Sequence, residues 1–443
     1  MDLQVELGAL RYFGIRFLNK RVIFFSIIIF ITIFLSTLAH DPAEIVIIGP
    51  NFHEQEYLME ELNIIAEELD IKIKYNAVSD PETFIIDNPN DLSSIAIIPN
   101  PRGVANLAER ELIYSLSNLL VDNDSISNLY SNHLTSIVAY EGNIYAGWTR
   151  LFPNSLIWYD ISKFKLNNIK AGSEPYSWSF EDFETFLQNT KQLADNGISP
   201  WCANSESAAS TGWIQTNWME DIILTKYGPD VYDEWSQLKI DASNIKIYSS
   251  LKFLEEFIFY DNHIHNGSDS IRNNEFRNLP RVMLDDSEDC FLSWSGHYFR
   301  YYIPNDYTYK EDYGVVQVPK INFEDFVVGI GDNIVLTKND ELSRQVISKI
   351  LSKNFGEVWS AHQDSHYISA NQSFDKNKII NQLTFDEYSI VHDALKKDLF
   401  RYDASEIMSR GVGSDKLWKF FDEYISQGPN SLVRLLNELD KQI

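Results

Sequence analysis

The sequence predicts an α/β protein, on three observations. Short apolar runs alternate with longer amphipathic stretches along the chain, the rhythm of strands interleaved with helices. The first strand candidates end in the polar turns Gly49-Pro50 and Pro99-Asn100-Pro101, as strands of an open parallel sheet do. At 443 residues the chain has room for about two to three domains, yet no Gly/Ser linker, internal repeat or heptad pattern divides it. Such a chain crosses between its domains more than once.

Each element follows from local pattern. Ile45-Val46-Ile47-Ile48 reads as a buried strand, Gln55 to Leu69 as a helix with Leu58, Leu62, Ile65, Ala66 and Leu69 on one face, and Ile71 to Tyr75 as an alternating second strand. Ile95 to Ile98 is a third strand. Further strands are predicted at Asn143 to Trp148, Ser155 to Tyr159, Cys290 to Trp294, Gly314 to Val318 and Phe326 to Leu336. Helices are predicted at Phe180 to Asn196, Trp213 to Tyr227, Ser249 to Phe259, Leu342 to Leu351 and Asp415 to Ser426. Ligands of open parallel sheets are met beyond the strands' carboxyl ends, which singles out Asn51, Phe52, Asn100 and Arg102.

The first forty residues form a separate class. Arg11, Arg16, Lys20 and Arg21 precede an uncharged run from Val22 to Leu38, with small residues at Thr37-Leu38-Ala39. Residues 1–39 read as a signal peptide or an uncleaved N-terminal anchor, and both readings export the remainder to the periplasm. With 64 acidic against 37 basic side chains the net charge is −27, so a sequence-independent grip on nucleic acid is excluded. Cys202 and Cys290 are the only cysteines. In an oxidising compartment they form either one disulfide, worth about 3–5 kcal/mol in the loop-entropy model, or two separate buried thiols.

Catalytic signatures are lacking. There is no Gly-x-Ser-x-Gly elbow, phosphate loop, His-Glu-x-x-His helix or Gly-x-Gly-x-x-Gly after the first strand. His263, His265, His362 and His366 read as solvated and not as metal ligands, and the acidic pairs Glu220-Asp221, Asp285-Asp286 and Glu288-Asp289 as solvated faces. The excess lies in aromatics: ten Trp and 23 Tyr, many beside amides and carboxylates. A sugar presents a C–H face that packs on flat rings and a rim of hydroxyls that donate and accept, so its site needs both residue classes. Trp148-Thr149-Arg150, Ser210 to Trp213, Trp294 to His297 and Asp332-Asn333 supply them.

These stretches resemble the extracellular solute-binding proteins of carbohydrate ABC importers, in the branch that binds α-glucosides, trehalose and glucosylglycerol. Ser199-Pro200-Trp201-Cys202, Ala209 to Trp213, Thr216 to Asp221, Val327 to Asp332, and Arg401 to Met408 with Gly411-Val412-Gly413 and Leu417-Trp418 carry the resemblance over about residues 41–430. Departures from the family pattern are Asn217 for the usual Asp, Ser409 for the Pro after Met408, and Phe-Leu-Ser-Trp-Ser-Gly after Cys290. They cluster near the expected pocket and bear on which sugar is taken.

The resemblance implies a two-lobed, periplasmic-binding-protein-like type II fold with a hinge and a central ligand cleft. Lobe 1 would comprise 41–150 plus 323–362, and lobe 2 would comprise 153–318 plus 365–443. The chain would cross near Arg150 to Asn154, near Pro319 to Phe323 and after about His362. It implies a small-sugar ligand held by Asn51, Phe52, Asn100, Arg102, Arg150 and Asp332 from one lobe, and by Thr211, Trp213, Trp294, His297 and Trp418 from the other. Trp213 and Trp418 would stack; Asp332 and Arg102 would bridge hydroxyls. A monomer that binds without catalysis, needs no cofactor or metal, and hands its sugar to a membrane permease is the expectation. An exported glycoside hydrolase or a membrane-tethered sugar sensor are the alternatives.

Overall fold

The computed structural model describes residues 42–90, 93–154, 156–167, 183–205, 212–273, 275–323 and 326–442. The leader at 1–39 lies outside them, as does Thr211. Among the described residues no helix is long and apolar enough to cross a membrane.

In chain order the main elements are β1 (Glu44–Gly49), α1 (Gln55–Leu69), β2 (Lys72–Ala77), α2 (Pro81–Asp87), β3 (Ile95–Ile98), α3 (Pro101–Glu109), β4 (Ala146–Pro153) and β5 (Leu156–Asp160). There follow α4 (Phe183–Asp195), α5 (Trp213–Tyr227), α6 (Pro229–Ser236), α7 (Ile245–Ile258), β6 (Leu292–Trp294), β7 (Tyr313–Gln317) and β8 (Val327–Leu336). The chain ends through α8 (Glu341–Ile350), α9 (Gln382–Lys396), β9 (Phe400–Tyr402), α10 (Trp418–Gln427) and α11 (Leu432–Asp440).

The larger sheet grows from the first strand–helix–strand unit. β1 pairs in parallel with β2 and β3, placing Ile47 opposite Tyr75 and Ile95. The four residues of β3 are all buried, which explains its unbroken apolar run. Ten-residue β8 then runs antiparallel to β3 and β4, while its first residues pair in parallel with β9. The β4–β8 register slips between Asp332 and Asn333, and such an irregularity re-aims side chains. The smaller sheet is three-stranded and antiparallel, with β5 between β6 and β7. Helix α5 packs beside it and is buried from Ile214 to Thr225, on every side.

Two cores match these two sheets. The first fills the space around β1, β3, β4 and β8 and reaches the small sheet through Trp158 and Phe299. The second surrounds α5, α7 and α10 on the other face of that sheet. The chain passes from large sheet to small between β4 and β5, and back between β7 and β8.

The third passage differs from expectation. Val391, Ala394 and Leu395 of α9 pack in the first core, and Phe400 pairs with Val327, so the chain stays with the large sheet until Tyr402. Ala404 already belongs to the second core. The passage therefore sits at Asp403, not after His362, because β9 must first complete the edge of β8.

Cys202 and Cys290 form a disulfide with Cα atoms 5.3 Å apart. Two other expectations fail on burial. His263 is buried against Thr190 and the Phe257 carbonyl, and His366 is largely buried beside Glu54. Glu220 and Asp221 are buried, not solvated. Their partners are internal: Tyr232 Oη and the Ser405 N–H donate to Glu220 at 3.1 and 3.2 Å, and the Trp294 indole N–H donates to Asp221 Oδ2 at 2.7 Å.

Candidate functional site

Where the chain passes between the sheets, a cavity of about 360 Å³ opens. Asn154 and Asp403, at the first and third passages, form part of its lining, and Ile330 of β8 joins them. Ser405 and Glu406 also line it, and the rest of the wall is aromatic: Trp213, Phe276, Tyr298, Tyr302 and Trp418. Trp213 opens α5, and its ring meets Tyr298 edge-on at 4.7 Å and Phe276 at 5.8 Å. Phe276 in turn meets Tyr302 at 5.3 Å. Trp213, Phe276, Tyr298 and Tyr302 thus brace one another, so a flat surface is available with little freedom left to lose on binding.

Trp418 opens α10 directly after a π-helical turn, Gly413–Leu417. π-Turns recur at functional sites because they displace the helix face by a residue. The Trp418 indole N–H donates to Ser405 Oγ at 3.3 Å. Gly413 lies so close to the Ser405 carbonyl that a Cβ there would collide with it.

Carboxyl groups supply the polar half of the site. Asp403 caps the short helix Ala404–Ile407: its Oδ1 accepts from Ser405 Oγ at 2.7 Å and from the Glu406 N–H at 3.2 Å. With the Asn217 amide oriented to satisfy its neighbours, its nitrogen donates to Asp403 Oδ2 at 3.0 Å and its oxygen accepts from Asn154 Nδ2 at 3.2 Å. The departure from Asp at 217 thus places an amide donor, not a second charge, against Asp403. Asn154 Oδ1 is buried and has no partner among the described residues, and a buried acceptor left unpaired is costly. Burial and the Asp403 charge push Glu406 up to about 7, opposed by Arg102. Burial also raises Asp403 itself and lifts Glu220 well above the usual carboxylate range.

Beyond Glu406 and Trp418 the cavity continues into an open groove of about 880 Å³ that reaches Asn100 and Arg102 at the start of α3. The Asn100 side chain is occupied in capping α3, accepting from the Gly103 N–H at 2.7 Å. Arg102 spans the gap: Nη1 donates to the Met408 and Ser405 carbonyls at 3.2 and 3.4 Å, and Nη2 lies 3.5 Å from Glu406.

Of the sequence-derived candidates, Trp213 and Trp418 line the cavity, and Asn100 and Arg102 line the groove. Phe52, Arg150 and Asp332 gather instead around a small hollow beside Trp359. There the Arg150 Nε–H donates to Asp332 Oδ2 at 2.7 Å, with the guanidinium 4.6 Å from the Phe52 ring and 5.2 Å from that of Trp359. Asn51 is exposed. Trp294 is 2% exposed, stacked on Trp218 at 5.7 Å, and His297 is 3% exposed, 2.9 Å from Glu387. These two rings are packed inside, away from the cavity wall. Asn154, Phe276, Tyr298, Tyr302, Asp403 and Glu406 were not among the candidates. The aromatic spacing Tyr298–Tyr302 and the motif Asp403-x-Ser405-Glu406 were the signals available for four of them.

Two α/β lobes with an aromatic and carboxyl-lined cavity at the chain crossings are the architecture of the type II solute-binding fold. No family model matches the chain. It is 25% identical over 410 residues to the osmoprotective compounds-binding protein GgtB of Synechocystis sp., covering 90% of this chain and 92% of that one. It is 24% identical over 392 residues to the alpha-glucosides-binding periplasmic protein AglE of Rhizobium meliloti, covering 86% and 82%. Among solved structures, the bacterial solute receptor AcbH superposes with a TM-score of 0.71 at 12% identity, over 90% of this chain and 98% of that one. RafE from Streptococcus pneumoniae superposes with a TM-score of 0.69 at 12% identity, over 90% and 97%. Sequence likeness over most of the chain and the superposed fold both point to carbohydrate solute-binding proteins as what it is similar to.

Proposed function

We propose that the protein is the capture component of a sugar importer, exported to the periplasm, where it takes a small glucoside such as glucosylglycerol or trehalose into the cleft. The observation that carries this reading is the joining of aromatic rings and hydrogen-bonding groups at the chain crossings: Trp213, Tyr298, Tyr302 and Trp418 beside Asn154 and Glu406. Rings take the C–H face of a pyranose, while the amide and carboxyls take its hydroxyls. The sugar favours the closed arrangement because only there do both lobes touch it. A membrane permease then receives it unaltered.

Relatives named for osmoprotective compounds and α-glucosides support a compact glucoside over a long oligosaccharide. Titration calorimetry against glucosylglycerol, trehalose, sucrose, maltose and glucose tests the reading. We expect micromolar or tighter binding of at least one, with no cleavage product after incubation. Absence of heat with all five, or recovery of hydrolysed sugar, overturns it.

A further inference from the structure

We infer that ligand capture is proton-linked through Glu406, whose ionised carboxylate is the form that receives the sugar. The inference rests on the proposed function, since it assigns a regulation to the same cavity. Its basis is the unequal way in which the carboxyls of this cluster are satisfied.

Asp403 has its oxygens engaged inside the protein by Ser405, the Glu406 N–H and Asn217. Glu220 is likewise turned inward, onto Tyr232 and the Ser405 N–H. Glu406 is different. Among the described residues its carboxylate meets only Arg102 Nη2, at 3.5 Å, and it lines both the cavity and the groove. Its acceptor positions therefore face the space a ligand enters.

The surroundings make its charge costly in the empty protein. From the chain crossing, Asp403 repels it, and from α3, Arg102 attracts it. Elsewhere in the groove wall Asp80, which caps α2, Glu82 of α2, Glu109 of α3 and Asp415 of the π-helical turn are acidic, whereas Arg410 is basic. From α6, packed against the Ala404–Ile407 helix, come Asp230 and Asp233, the latter paired with Arg401 at 2.9 Å. Lys416 lies on the π-helical turn. The balance holds the carboxyl near half-protonation at neutral pH, at about 7. Vicinal hydroxyls donating to the carboxylate stabilise its charged form, so binding expels a proton.

If only the ionised form binds, apparent affinity scales with its population, and Kd weakens about tenfold between roughly pH 8 and pH 6. Calorimetry at about pH 7 in two buffers of different ionisation enthalpy reads the proton directly. The ligand used is whichever of glucosylglycerol, trehalose, sucrose, maltose or glucose gives heat. We expect release of a substantial fraction of a proton per sugar in the native protein. In Glu406→Gln the release is lost and Kd becomes flat with pH, while far-UV circular dichroism stays native. Equal heats in both buffers, Kd that tightens on acidification, or persistence of the release in Glu406→Gln overturns the inference and leaves the proposed function standing. Absence of binding by all five sugars overturns both.

Discussion

Gly212 and Trp418 meet where no side chain fits: a Cβ at 212 would collide with the Trp418 carbonyl oxygen. Gly212 also carries a φ of 101°, a conformation that L-residues adopt only under strain. One glycine therefore sets the distance between the first residues of α5 and α10, the two helices that present Trp213 and Trp418. Gly212→Ala is expected to lower stability by about 2 kcal/mol or more and to weaken sugar binding about tenfold by parting these rings. Urea unfolding and calorimetry on the same variant check both effects.

Trp213 and Trp294 separate a binding ring from a packing ring. Trp213 is half-buried at the cavity wall, so Trp213→Ala should cost about 2 kcal/mol of binding while the Tm of the empty protein moves little. Trp294 is buried, stacked and hydrogen-bonded to Asp221, so Trp294→Ala should cost about 3–5 kcal/mol of folding stability. Thermal melts of both, without and with sugar, distinguish the cases.

Asp332 is expected to act on stability before affinity. Its carboxylate neutralises Arg150, which is buried among Phe52, Phe152 and Trp359. Removing one partner strands the other, at about 3–5 kcal/mol. Asp332→Asn should therefore lower the denaturation midpoint well before it alters Kd.

The disulfide joins cysteines 88 positions apart, tying the segment after Trp201 to the strand that carries Trp294. In the loop-entropy model its loss removes about 4–5 kcal/mol. The Cys202→Ala/Cys290→Ala double variant, or the native protein under reductant, should show a correspondingly lower Tm.

Buried histidines govern the acid limb of stability. Burial brings His263, His366 and His392 down to about 4, and His133 to about 3. The unfolded chain takes up these protons near 6.5 and the folded chain only near 3 to 4. This contribution is complete above about pH 6.5 and is lost as pH falls toward 4. Glu406 acts in the opposite sense: its raised value means the folded chain binds the proton first, so its contribution is complete below about 4.5 and lost as pH rises through 7. Urea midpoints across this range should fall less steeply on acidification in His263→Gln. Above about pH 7 the unfolding free energy of Glu406→Gln should exceed that of the native protein, by about 1–2 kcal/mol.

The strands were legible because their side chains answer to local pattern. Ile95 to Ile98 is apolar on both faces and buried on both, and Trp213 to Tyr227 has the same limits in sequence and structure. The third chain passage was not legible. What holds 363–402 with the large sheet is the pairing of Phe400 with Val327, a contact between residues far apart in sequence. Likewise Glu220-Asp221 looked solvated because the partners that permit burial, Tyr232, Ser405 and Trp294, come from three other segments. In the site, Trp213 and Trp418 were readable as stacking rings through the family resemblance, the first at the start of a predicted helix and the second within one. Asp332 and Arg150 were readable as polar residues in or just past predicted strands, but not as partners of each other, since that depends on the β4–β8 register.

Asn154 and Asp403 stand on the pivots and also touch whatever fills the space between the halves. A lock whose hinge pins are part of its tumblers cannot be re-keyed at those pins without changing how freely the door swings. Drift in sugar preference within this lineage is therefore freer at the walls, through Phe276 or Tyr302, than at these two joints.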